Sequence, residues 1–181
     1  MCNKFVERRL NMKALDIASI FIDRYGKTLA LTNLTLNKLV YFAQVESLRN
    51  NPECPLFTDE IQAWEYGPVE PSVYNEFKQF GRNRIFNAPN HETSQYADCI
   101  VDTVVEKYAW MNAFDLVNYA HRAGGAWHNV YDASRNKPIL VQNILQSSDV
   151  TSYPAKKNTF ISAVDAVKKQ YPNTLRILGD A

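Results

Sequence analysis

Thiols and imidazoles are the side chains of this sequence best suited to nucleophilic or metal chemistry, and they are few: Cys2, Cys54 and Cys99, with His91, His121 and His128. Cys99 opens the apolar run Ile100–Tyr108, where a helix N-terminus would lower a thiol pKa, and Cys54 stands between prolines. Neither lies in a local signature that brings a base to it, so both read as small buried hydrophobes. An odd number of cysteines without a CxxC pair makes neither a disulfide framework nor a zinc set. His121 and His128 are separated by Gly124-Gly125 and need not share a helix face, so the plain reading of each is a structural histidine. No phosphate-binding glycine run occurs, because Gly124-Gly125 comes after a helical stripe and reads as its stop. The residues therefore assign no catalytic, cofactor-binding or metal-ligating group.

Charge argues against a second class of function. The 20 Lys+Arg and 19 Asp+Glu give a net charge of +1, too balanced for electrostatic gripping of nucleic acid or an anionic membrane. The basic clusters Lys4/Arg8/Arg9/Lys13, Arg82/Arg84, Lys156/Lys157 and Lys168/Lys169 have acids nearby or fall on polar faces of expected helices. The first residues, MCNKFVERRLNMK, lack an apolar stretch, and Ala14–Ile22 is too short to cross a bilayer. A cytoplasmic protein without a membrane segment is expected.

Hydrophobic residues at 46% and aromatics at 12% of 181 residues are enough for one packed core. The most distinctive stretch is Ala63-Trp64-Glu65-Tyr66-Gly67-Pro68-Val69, with Tyr74 one turn into the next expected helix. Two readings compete for it: aromatics capping the core at a sharp Gly-Pro exit, or an aromatic anchor surface for a partner.

The elements that must position these residues emerge from periodicity. Ala14, Ala18, Phe21, Ile22 and Tyr25 mark a helix stopped by Gly26. A second helix runs from about Asn33 to Arg49 with Thr32 as N-cap, and its wide apolar stripe makes it the most buried element. Alternation over Ile61–Tyr66 predicts a short strand ended by Gly67-Pro68, with Arg84–Phe86 as its partner. Pro71 starts a third helix closed by Gly81. Further helices carry Ile100–Tyr108, then Leu116–Ala120 behind Asn112 and Asp115, then Leu140–Gln146. The fold class expected is mainly α: one compact domain of about five to seven helices with a small antiparallel β-ribbon. The expected division is an N-terminal arm 1–11, a domain 12–150 and a C-terminal helical extension 151–181.

The helix Leu36-Asn37-Lys38-Leu39-Val40-Tyr41-Phe42-Ala43-Gln44, the Ala63–Val69 stretch, Tyr74, and the later Leu116, His121 and Trp127 together resemble the Panacea antitoxin domain of SocA-like and GepA-like proteins. The resemblance spans about Met12 to Ser148. It departs at Gly124-Gly125-Ala126-Trp127, where the family usually places a proline directly before the tryptophan. The resemblance implies a non-enzymatic antitoxin of a toxin–antitoxin pair or phage-associated element, with a cognate protein toxin as partner. For some SocA-like members it implies an adaptor role that delivers the toxin to a ClpXP-type protease. It marks Lys38, Tyr41, Trp64, Glu65, Tyr66, Gly67, Pro68, Tyr74, His121 and Trp127 as motif residues and a candidate partner surface. The alternatives from other classes are an enzyme with an unrecognised Cys/His site and a phage-associated nucleic-acid-binding accessory protein.

Overall fold

A computed structural model describes residues 12–154; the arm 1–11 and residues 155–181 of the extension lie outside the described residues. The described chain is mainly α with a small sheet, as expected. Helix α1 (Ala14–Tyr25) leads to α2 (Asn33–Asn50), against which most later elements pack. Thr32 caps α2 by accepting from the Thr35 amide, while the Thr35 hydroxyl oxygen accepts from the Thr32 amide at 2.7 Å. From Leu36 to Leu48 α2 is buried on all sides, polar positions included.

Strands β1 (Ile61–Trp64) and β2 (Gly67–Val69) form a hairpin, and β3 (Lys137–Ile139) pairs with the other side of β1. All pairing is antiparallel, with Ala63 opposite both Pro68 and Lys137. Gly67-Pro68 therefore does not end the ribbon as expected but supplies its second strand, with Glu65 and Tyr66 as the turn. Arg84–Phe86 is not a strand: the Ile85 amide donates to the Leu31 carbonyl at 2.8 Å and fastens a coil to the segment before α2. The third strand comes from far along the chain, where three residues around Pro138 carry no alternation signal.

Helix α3 (Pro71–Phe77) starts at its proline and is capped by the buried Glu70 carboxylate, which accepts from the Ser72 and Val73 amides at 3.1 and 2.8 Å. A single 3₁₀ turn, Lys78–Phe80, comes next and ends at Gly81. Helices α4 (Gln95–Tyr108) and α5 (Ala113–Ala120) pack on α2, and Asn112 and Asp115 exchange side-chain-to-backbone bonds at the start of α5, as their spacing predicts. Two helices escape periodicity because each is about one turn long: α6 (Ala126–Val130) and α8 (Ser148–Thr151), with α7 (Val141–Leu145) between them.

Burial of α2 obliges its polar side chains to find partners inside the protein. Gln44 Oε1 accepts from the Leu56 and Phe57 amides at 2.7 and 3.3 Å, and its Nε2 donates to the Phe57 carbonyl at 3.0 Å. The Ser47 hydroxyl donates to the Cys54 carbonyl at 2.9 Å; Cys54 is buried as expected, whereas Cys99, on the outer face of α4, is exposed and not the buried residue expected. Glu46, fully buried, accepts from Lys107 Nζ at 2.8 Å, from the Tyr108 hydroxyl at 2.9 Å, and from Arg49. Phe42 stacks on Tyr108 with centroids 4.4 Å apart, holding α4 against α2 beside this charge cluster.

Gln44→Leu tests this dependence, because leucine fits the space but leaves the Leu56 and Phe57 backbone groups unpaired. Urea unfolding is expected to show a loss of about 2–4 kcal/mol, well beyond a single exposed hydrogen bond. A change below about 1 kcal/mol would mean that the 51–60 loop takes its backbone partners elsewhere.

Candidate functional site

The chain brings the motif residues together along one side of α2, where the β1–β2 hairpin lies over the helix and the α5–α6 corner closes the end. Lys38 projects from α2 beneath the hairpin and is fully buried. Its Nζ donates to the Pro68 carbonyl at 2.8 Å, and among the described residues no carboxylate is bonded to it. Burial alone pulls its pKa down to about 7, because a desolvated ammonium without a counter-charge favours the neutral amine. Gly67 makes this approach possible in two ways. Its φ of 100° belongs to glycine, and a Cβ placed there would stand 2.9 Å from Lys38 Cε and 3.4 Å from His121 Nε2.

His121, at the C-terminal end of α5, faces the same amine. Its ring stacks on Trp127 with centroids 3.7 Å apart and planes 2° from parallel, and Tyr131 also stacks on Trp127, at 4.4 Å between centroids. The Trp127 Nε1–H donates to the Trp64 carbonyl at 2.8 Å, tying α6 to the end of β1. His121 Nε2 is buried without a hydrogen-bond partner among the described residues. Burial lowers the His121 pKa, and the nearby Lys38 lowers it further. Above neutral pH the pair is therefore uncharged. Among the described residues no carboxylate is bonded to it to orient a proton transfer, and no group of three His, Cys, Asp or Glu is placed to hold a metal ion. His128 is exposed and takes no part.

One turn along α2, Tyr41 reaches the second half of the site. Its hydroxyl donates to Asp149 Oδ2 at 2.5 Å, and burial reinforced by the Asp149 charge raises its pKa well above the usual phenol value. Asp149, almost completely buried, also accepts from the Ala126 amide at 2.8 Å and lies 2.6 Å from Arg122. Here the departure from the family pattern acquires a physical meaning. The residue before Trp127 is an alanine whose N–H is bonded to a buried carboxylate, a bond that proline could not make.

At the end of β1, Trp64 packs edge-on against Tyr74 at 4.8 Å and donates from Nε1 to Gln62 at 2.9 Å. Trp64 is thus half-buried, whereas Tyr66, which a strand running over Ile61–Tyr66 would put on the same face as Trp64, stands in the hairpin turn and is 62% exposed. Lys38, Tyr41, Gly67, Pro68 and Trp127 are buried, and Trp64, Tyr74 and His121 are half-buried; Glu65 and Tyr66 alone among the motif residues are fully at the surface. Asp149, Arg122 and Glu70 belong to this assembly and escape sequence reasoning, since isolated charged residues far apart in the chain announce no shared interior. Asn37 escapes it too, though it lies inside the motif helix; its Oδ1 accepts from the Glu70 amide at 3.2 Å.

The family model for SocA-like antitoxins with the Panacea domain matches residues 36–128, just over half of the chain and every motif residue named above. Antitoxin SocA of Caulobacter vibrioides is 27% identical over 133 residues, which cover 65% of this chain and 69% of that protein. No solved structure matches the chain.

The Lys38 pocket generates two expected outcomes. Gly67→Ala is expected to lower stability by about 2–3 kcal/mol, from backbone strain and the displaced lysine together, read by chemical denaturation. A loss within error of zero would show that the hairpin shifts freely away from α2. The second outcome concerns pH. Lys38 ordinarily holds its proton up to about pH 10 when unfolded but loses it near 7 when folded. Between those values unfolding takes up a proton, so stability rises with pH; below 7 the full cost of burying the charge is felt. His121 titrates below this window. The stability of the parent relative to Lys38→Met should therefore climb between pH 7 and about 10, by at most about 1.4 kcal/mol per pH unit. Parallel curves for the two proteins would contradict the neutral form of Lys38.

Proposed function

Because this chain belongs to the family of SocA-like antitoxins with the Panacea domain, we propose that it neutralises a cognate protein toxin by binding it directly and does no chemistry of its own. The observation that carries this reading is the family match centred on the α2–hairpin–α6 assembly. What the geometry adds is a division of labour. The motif residues are largely turned inward, where they fix the hairpin and the α5–α6 corner on α2, and such a rigid frame presents its surface to a partner at little ordering cost. The toxin is thus held by residues outside most of the motif, with Glu65 and Tyr66 at the hairpin turn as the motif's own contribution to the contact.

Sequestration is the simplest action of such a frame, and delivery of the toxin to a ClpXP-type protease is its elaboration. Co-expression with the protein encoded beside it in the genome tests the first. Growth arrest by the neighbour should be relieved, and the two proteins should co-purify. Arrest that persists with no complex formed would reject this pairing and, for that partner, the antitoxin reading. Delivery makes a further demand on the same cells: the toxin's half-life must shorten only when the antitoxin and the protease are both present. An unchanged half-life alongside restored growth assigns neutralisation to binding alone. Tyr66→Ala is expected to weaken the complex about tenfold or more while leaving the thermal midpoint near that of the parent, since its ring is exposed.

A further inference from the structure

The described chain ends at an aromatic corner that no described residue covers. Tyr153 is 57% exposed and Trp110 40% exposed, both at the C-terminal end of α4. Lys107 joins them: Trp110 Nε1 donates to its carbonyl at 2.8 Å, and its ammonium lies 4.4 Å from the Tyr153 ring centroid. Glu106, Lys107, Tyr153 and Pro154 line a shallow open groove at this point. Large exposed rings clustered at one corner are a liability for a protein that leaves them bare.

The groove is also where the remaining chain departs. Arg49 pins that departure point: its Nε donates to the Val150 carbonyl at 2.9 Å and its Nη2 to the Ser152 carbonyl at 2.8 Å, while its guanidinium lies 4.0 Å from the Tyr153 ring. The Tyr119 hydroxyl adds a bond to the Ser152 carbonyl at 3.3 Å. Residues 155–181 therefore start from a fixed position on the rim, which gives anything they carry a high local concentration over the groove. What they carry in sequence is a stripe of Phe160, Val164, Val167 and Tyr171 at helical spacing. The stretch from Pro154 to Phe160 reaches about 20 Å when extended, ample to bring the stripe back over Trp110. Charge agrees with this placement. Lys107 and Arg49 are already paired with the buried Glu46, which leaves the exposed Glu106 as a negative charge at the groove, opposite in sign to Lys156 and Lys157, the next charges in sequence after Pro154.

We propose that segment 155–181 docks in cis on the Trp110–Tyr153 corner, laying its apolar stripe over the end of α4 and covering the exposed rings. The segment then completes the domain's surface. This assignment does not rest on the antitoxin reading.

Two measurements on the full chain test it. In the first, acrylamide quenching of Trp110, isolated by difference against Trp110→Phe, is compared between the parent and Val164→Asp/Val167→Asp. Docking predicts that quenching rises about twofold when the stripe is broken. Equal quenching overturns the proposal. In the second, Glu106→Cys and Lys157→Cys are combined in a chain carrying Cys2→Ser and Cys99→Ser, so that an unfolded tail variant cannot mislead. Docking predicts a disulfide within one chain whose yield is independent of protein concentration. Disulfides only between chains, increasing with concentration, would give the corner to a second copy. Protection of Trp110 that appears only on adding the toxin would give it to the partner. Either of these results, or no disulfide at all, overturns docking in cis.

Discussion

A helix buried on every face cannot send its polar side chains to water, and α2 is such a helix with asparagine, lysine, glutamine, glutamate and serine among its buried residues. Each must be answered from a different part of the chain. Asn37 receives the Glu70 amide, Lys38 bonds the Pro68 carbonyl, Tyr41 bonds Asp149, Glu46 gathers Lys107 and Tyr108, and Gln44 and Ser47 hold the 51–60 loop. The apolar positions of α2 make the core favourable. Its polar positions determine which segment stands where around it, since an alternative arrangement would leave these groups unpaired at about 1–3 kcal/mol each.

Lys38 is the sharpest case. A carbonyl is a weaker partner for a buried lysine than a carboxylate, and the amine responds by losing its proton near neutral pH. Such an arrangement costs stability that an apolar residue would not, and what the lysine supplies in return is a bond that fixes one carbonyl of the hairpin to α2. Gly67 is the structural counterpart, because only a residue without Cβ can lie against both the lysine and His121. The stack of His121, Trp127 and Tyr131 then closes the corner. The second polar knot, Asp149 with Tyr41, Arg122 and the Ala126 amide, brings the end of the described chain back to α2 across more than a hundred residues. These bonds are made within the chain itself, and they leave the exposed hairpin turn outside their constraints.

Much of this was readable in the amino acids alone. The wide stripe of α2, its Thr32 cap, the start of α3 at Pro71, the Asn112/Asp115 cap of α5 and the α-rich class are local matters of periodicity and backbone hydrogen bonding, which neighbouring residues decide. The motif residues could be picked out by type and order, and the family they indicate is the one that the chain matches. Tertiary structure decided the rest, because it depends on residues distant in sequence. The partner of β1 is Lys137–Ile139 and not Arg84–Phe86, since a three-residue strand becomes a strand only by pairing. Trp64 turns inward to Tyr74 while Tyr66 turns outward, since a turn residue escapes the alternation of the strand before it. Lys38 reads in sequence as one more charge on a helix. Only the hairpin folded over it removes the water, and with the water goes the proton.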